Sequence, residues 1–211
     1  PSYIAEKNFL KLLYGTHPFS EPVEGTKDSL NKITRDDIVK FHKSYFVPNN
    51  MTIGVTGDFR KHEFMELLQA TFGAMPAGNL PKFAEGQSRS GDIPQPVASA
   101  NYIPKEIKQT TIRLGHIGIE RLNPDYFPAV VMNAILGGES VSRLYQAVRE
   151  EEGLAYSVFS YWAMRFNGPG FFIAGAETDV SKTHKSVQLI IQEIKKMREG
   201  YVDDSELAGT K

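Results

Sequence analysis

The sequence predicts an α+β fold: an antiparallel-type sheet with helices packed on one face, arranged as two related units. Three observations carry this expectation. Segments with apolar residues at helical spacing are interspersed with shorter runs of period-two alternation. Two strand-like runs, about Ala155 to Met164 and Gly170 to Glu177, are joined through Asn167-Gly168-Pro169-Gly170, which is a hairpin signal. Residues 76 to 100, rich in Pro, Gly, Ser and Gln, follow neither period and read as a linker.

The elements follow in order. Tyr3 to Tyr14 places Ala5, Phe9, Leu12 and Leu13 on one helical face, and Gly15 ends it before a polar loop. A second helix, about Arg35 to Phe46, has Thr34 as N-cap and Asp37 in the capping-box position, with Ile38, Phe41 and Tyr45 as its stripe. Pro48-Asn49-Asn50 closes it. Met51 to Thr56 reads as a short strand, and Lys61 to Phe72 as a helix carrying Phe64, Leu67, Leu68 and Thr71. Beyond the linker, Gln109 to Ile119 alternates as a strand and Phe127 to Leu136 as a helix broken by Gly137-Gly138. Ser140 is expected to cap Val141 to Glu151, with Val141, Leu144, Tyr145 and Val148 as the stripe and Gly153 as the stop. A long amphipathic helix, about Ser181 to Glu199, follows the hairpin, and Asp203 to Leu207 reads as a further helix start.

Composition narrows the function classes. The chain has 211 residues, 41% hydrophobic and 23% charged, enough for one large domain or two small ones. A net charge of −1 offers no electrostatic footprint for nucleic acid. With no cysteine, disulfides and thiolate metal sites are excluded, and the compartment stays open between cytoplasm and periplasm. No apolar run is long enough to predict a membrane span, and no signal peptide opens the chain. Both ends read as trimmed helices, so a fragment of something longer is expected.

No two of His17, His42, His62, His116 and His184 lie three or four residues apart, so no helix turn presents a histidine pair to a metal. There is no Gly-x-Ser-x-Gly elbow, and Gly137-Gly138-Glu139-Ser140 lacks the spacing of a phosphate loop. The informative stretch is Leu136 to Phe159, LGGESVSRLYQAVREEEGLAYSVF. Arg149 ends a helix and Tyr156 starts a strand beyond the Gly153 turn, which brings a guanidinium and a phenol to one end of the sheet. Such a pair can grip a peptide carbonyl and support a developing oxyanion. The arginine also has an ordinary reason to stand at a helix C-terminus.

This stretch resembles the second half of the insulinase/pitrilysin-like zinc metallopeptidases, the inverzincins. The resemblance rests on Leu136–Gly138, Ser142–Leu144 and Arg149–Ser157, in that order. Thr16-His17-Pro18-Phe19, Pro22 to Thr26, Tyr45, Pro48 to Met51 and Gly57-Asp58 resemble the region that follows the family's zinc site. The resemblance implies a peptidase of two α+β halves around a peptide chamber, with zinc and its base in the first half. It implies substrate and oxyanion binding by Arg149 and Tyr156. No His-x-x-Glu-His occurs here, so zinc is expected in the parent protein and no metal or cofactor site in this chain. Glu6 is not promoted to a ligand, and His17 receives no ligand role.

The expected domains are therefore 1–80, the end of the zinc-bearing half without its ligands; 81–100, the linker; and 101–211, the start of the non-catalytic half. Expected partners are a peptide substrate and the missing N-terminal catalytic half or a partner subunit. The resemblance also admits a catalytically inactive partner or core subunit of a processing-peptidase-like complex. A module that adds a peptide to a sheet edge is a third reading. Unpaired sheet edges make a homodimer an expected assembly.

Overall fold

The computed structural model describes residues 1–80, 96–166 and 168–210. Among the described residues it is α+β, with one three-stranded antiparallel sheet. β1 (Gln109–Ile117), β2 (Ala155–Ala163) and β3 (Phe171–Asp179) lie in the order β1-β3-β2. The hairpin partners β2 and β3 are neighbours, and β1 takes the other side of β3 with Gln109 opposite Asp179 and Ile117 opposite Phe171. The chain divides into two compact units, Pro1–Pro22 with Ser88–Lys211 and Val23–Gln87, each taken by itself below.

In the larger unit β3 is covered on both faces. Phe172, Ala174 and Ala176 point to one side, where they meet Ile112, Leu136, Leu144, Val148, Leu154 and Ile190 in the main core. That side is roofed by α5 (Tyr126–Asn133), its π-helical continuation Ala134–Gly138, a second π-helical segment Tyr145–Glu151, and α6 (Thr183–Glu199). Phe171 and Ile173 point to the other side and pack against Phe9, Leu13 and Tyr14 of α1 (Ser2–Tyr14). This is the pleat's period of two at work: alternate residues of one strand feed two separate cores. The helices expected on one face thus have a counterpart opposite, and α1, read from sequence with the first unit, packs on the sheet of the second.

Gly137 explains the Leu-Gly-Gly break. A Cβ there would sit 2.6 Å from the Ser160 backbone nitrogen, so only glycine lets the widened helix close on β2. Asn133 and Ser160 then tie helix to strand, the Ser160 hydroxyl donating to Asn133 Oδ1 at 2.9 Å. The last helix, α7 (Asp204–Thr210), starts where acidic residues announced it, with the Asp203 carboxylate accepting from the Ser205 and Glu206 backbone N–H groups. Arg143 fixes it by a two-pronged ion pair, Nε and Nη2 donating to the Glu206 carboxylate at 2.7 and 2.6 Å.

The smaller unit holds α2 (Lys27–Leu30), α3 (Arg35–Tyr45) and α4 (Lys61–Phe72). The Thr34–Asp37 capping box is present, each residue satisfying the other's backbone N–H. The strand expected at Met51 to Thr56 does not form: nothing among the described residues pairs with it, and Ile53 and Val55 stay exposed. A strand needs a neighbour for its backbone groups, and periodicity alone cannot supply one. For the same reason the α3 stripe is not buried, and Ile38 and Phe41 are 63% and 57% exposed. Three further corrections are local. Leu12 lies off the buried face of α1, where Tyr14 takes its place. Val141 is exposed, outside the stripe assigned to it. Ser140 sits in a turn, and the following helix begins later, at Arg143, with Ser142 accepting the first backbone bond from Gln146. Most of the predicted linker, 81–95, lies outside the described residues, and 96–100 has no regular structure.

Two outcomes are expected. Ile190 is fully buried in the main core, so Ile190→Ala should lower stability by about 2–5 kcal/mol in urea denaturation. The Arg143 hydrogen bonds hold the Glu206 carboxyl below its ordinary value. A depressed folded-state pKa lends stability that is present above the unfolded value, about 4.3, and is lost as pH falls through the folded one. Glu206→Gln should therefore be less stable at neutral pH and lose less on acidification below about pH 4. An unchanged acid profile in chemical denaturation would exclude that contribution.

Candidate functional site

The site is built on the passage from helix to strand between Arg143 and Ser157. The helix widens into the π-helical segment Tyr145–Glu151, an irregularity frequent at functional sites. It stops at Gly153, whose φ of +57° is the left-handed conformation that ends helices. Gly153 and Leu154 donate their backbone N–H groups to the Arg149 and Val148 carbonyls, at 3.1 and 2.9 Å.

The turn is braced from below. The buried Thr178 hydroxyl donates to the Leu154 carbonyl at 2.6 Å, and Ser186 of α6 donates to Thr178 at 3.2 Å. Lys182 Nζ reaches the Gly153 carbonyl at 3.0 Å, and Lys185 pairs with Glu152. The chain then enters β2 through a bulge. Ala155 pairs with Thr178 and Ser157 with Glu177, leaving Tyr156 as the extra residue. A bulge re-aims a side chain, and here it turns Tyr156 outward at 81% exposure.

Arg149 and Tyr156, singled out in the sequence, are in contact. The Arg149 Cζ lies over the Tyr156 ring, 4.7 Å from its centroid. It lies at the same 4.7 Å over Tyr145, a residue the sequence reading assigned to the apolar stripe. The signal that could have found it is its spacing of four from Arg149, which puts the two side chains on one helix face. The nearest carboxylate to the guanidinium is Glu150, whose Oε1 is 3.7 Å from Nε. The Ser2 hydroxyl donates to Glu177 at 2.6 Å, so α1 begins at the sheet end that carries the bulge. A cationic N–H edge and a phenol O–H side by side can bind a carbonyl oxygen or stabilise one that gains charge.

The described residues do not fit a zinc site. No group of three or more His, Asp and Glu is gathered among them. His17 caps a short helical turn, its Nδ1 accepting from the Phe19 backbone at 3.1 Å. Glu6 faces Tyr161, whose phenol pKa is raised first by burial and then by that carboxylate. Among the described residues, no helix is long and apolar enough to cross a membrane.

The fold is an α+β domain in which Arg149 and Tyr156 meet at one end of the sheet. Residues 32–211 match the family described as Peptidase M16 inactive domain, and the chain belongs to it. An uncharacterized zinc protease of Streptomyces coelicolor is 28% identical over 200 residues, 94% of this chain and 43% of that protein. A Helicobacter pylori protein named a non-peptidase homolog is 28% identical over 214 residues, 99% of this chain and 47% of that one. The crystal structure of the peptidase M16 inactive domain from Pseudomonas fluorescens superposes with a TM-score of 0.85 at 27% identity, covering all of this chain, 100%, and 50% of that one. The chain thus spans about half the length of these proteins.

Gly153 gives a test of the turn. A Cβ there meets nothing within 4 Å, so Gly153→Ala costs only backbone strain. The expected loss is about 1–2 kcal/mol in thermal or urea denaturation, with the fold retained.

Proposed function

We propose that this chain is a non-catalytic region of a zinc-dependent metalloendopeptidase that hydrolyses peptides, and that it contributes substrate and transition-state binding. Residues 1–80 end the zinc-bearing half without its ligands, and 101–211 begin the substrate-binding half. Arg149 orients the substrate backbone through its N–H edge. Tyr156 donates its phenol proton in a hydrogen bond to the oxygen that gains charge during hydrolysis. The metal and its ligands belong to a part of the protein outside this chain, and the chain by itself cleaves nothing.

The observation that supports the reading is the Arg149 guanidinium lying over the exposed Tyr156 ring at a bulge in β2. A purely structural arginine would be expected to spend its N–H groups on the helix end or on a carboxylate. Arg149 makes neither hydrogen bond among the described residues: its carboxylate contact is the longer, exposed Glu150 ion pair at 3.7 Å, and its side chain keeps 33% of its surface exposed. The zinc-protease name of the Streptomyces coelicolor relative points the same way.

A second reading has an observation of its own. The Helicobacter pylori relative is named a non-peptidase homolog at the same 28% identity. On that reading the parent is a catalytically inactive partner or core subunit. His-x-x-Glu-His in the sequence upstream of this chain decides for the enzyme, and its absence decides for the partner.

Fluorescence anisotropy with a labelled unstructured peptide tests the grip. The chain should bind, and Arg149→Ala should weaken binding by about tenfold. Unaltered affinity would remove Arg149 from the site. Metal analysis should find no stoichiometric zinc on the isolated chain. Bound zinc lost together with peptidase activity on chelation would overturn the assignment. In an active parent, Tyr156→Phe should lower turnover more than it raises KM.

A further inference from the structure

We infer that Tyr145 is a positioning residue that holds the Arg149 guanidinium in place, so that its N–H edge meets the backbone carbonyl of an extended peptide. This rests on the reading of Arg149 as a peptide-binding group.

Three observations carry it. The Arg149 Cζ is 4.7 Å from the ring centroids of both Tyr145 and Tyr156. No hydrogen bond from the guanidinium forms among the described residues, and the Glu150 carboxylate, at 3.7 Å from Nε, is beyond hydrogen-bond length. Its orientation is therefore set by the two aromatic faces together with the longer Glu150 ion pair, and the rings are what lie against its planar faces. Of these, Tyr156 is 81% exposed and stands on a bulge, whereas Tyr145 is half-buried on the same π-helical segment as Arg149. Tyr145 is the fixed surface of the pair.

The chemistry follows from the guanidinium's shape. Its donors lie in its plane, so aromatic faces can hold it without consuming any of them. A lysine ammonium, or an arginine hydrogen-bonded through its edge to a carboxylate, would lack that spare, planar edge. The Tyr145 hydroxyl has no hydrogen-bond partner among the described residues, so the ring and not the phenol is what acts.

The test has two readouts on the full chain. The first is the NMR resonance of the Arg149 Nε–Hε group, which a neighbouring ring displaces. Tyr145→Leu should move it toward the position of unstacked arginines, and Tyr145→Phe should leave it in place. The second is peptide affinity, which Tyr145→Leu should weaken by about two- to fivefold, with Tyr145→Phe binding as the unaltered chain does. Tyr145→Met, which keeps bulk without a ring, replaces the leucine variant if that one does not fold. An unmoved Arg149 resonance in a folded Tyr145→Leu or Tyr145→Met chain overturns the inference, as does an equal displacement in Tyr145→Phe. Failure of the unaltered chain to bind peptide would sink the peptide-binding reading, and the resonance would still decide whether Tyr145 holds Arg149.

Discussion

Everything in the larger unit depends on β3 being covered from all sides. It is hydrogen-bonded to β1 on one edge and β2 on the other, and from Phe171 to Ala176 every residue is buried. Such a strand has no polar face, and this one carries the apolar run Phe171-Phe172-Ile173-Ala174-Gly175-Ala176. Its alternating side chains build two cores from one strand: Phe172, Ala174 and Ala176 under α6 and the widened helices, Phe171 and Ile173 under α1. The register that seats β2 against β3 also decides which residue faces solvent at the sheet end. A slip of one position would bury Tyr156 and expose Ala155.

The candidate site draws on that rigidity. Thr178, at the end of β3, holds the Leu154 carbonyl, and Ser186 of α6 holds Thr178. The Thr178 bond to the Leu154 carbonyl is buried, and breaking a buried hydrogen bond costs more than the bond's net worth. The turn is therefore a poor place for motion, and the two side chains it separates, Arg149 and Tyr156, are brought together on firm ground. The guanidinium keeps its donors because its neighbours touch it by their aromatic faces.

Much of this was legible in the sequence. The hairpin, the α6 amphipathy, the Thr34–Asp37 capping box and the Gly153 stop are local features, and each is present. Arg149 and Tyr156 were legible as residue types in a recognisable stretch, and they are in contact. Two of the misses, both in the smaller unit, share one cause. Met51 to Thr56 has a strand's alternation, and Ile38 and Phe41 have a helix's stripe, but each needs a surface to bury against. The described residues provide none. Conversely, α1 was grouped with its sequence neighbours, and it packs instead on the sheet of the larger unit.

By itself the sequence determined the kinds of element and their caps, because these are set by residues within a few positions of one another. It determined the absence of thiolate chemistry and of a histidine pair on one helix turn, because those are matters of residue type and spacing. Only the tertiary structure decided which stripe found a partner, which face of the sheet α1 covers, and that Tyr156 comes to the guanidinium that Tyr145, four residues from Arg149, faces from its own helix. Each of these depends on contacts made at a distance along the chain or on how far a helix is unwound, and neither leaves a period in the sequence to read.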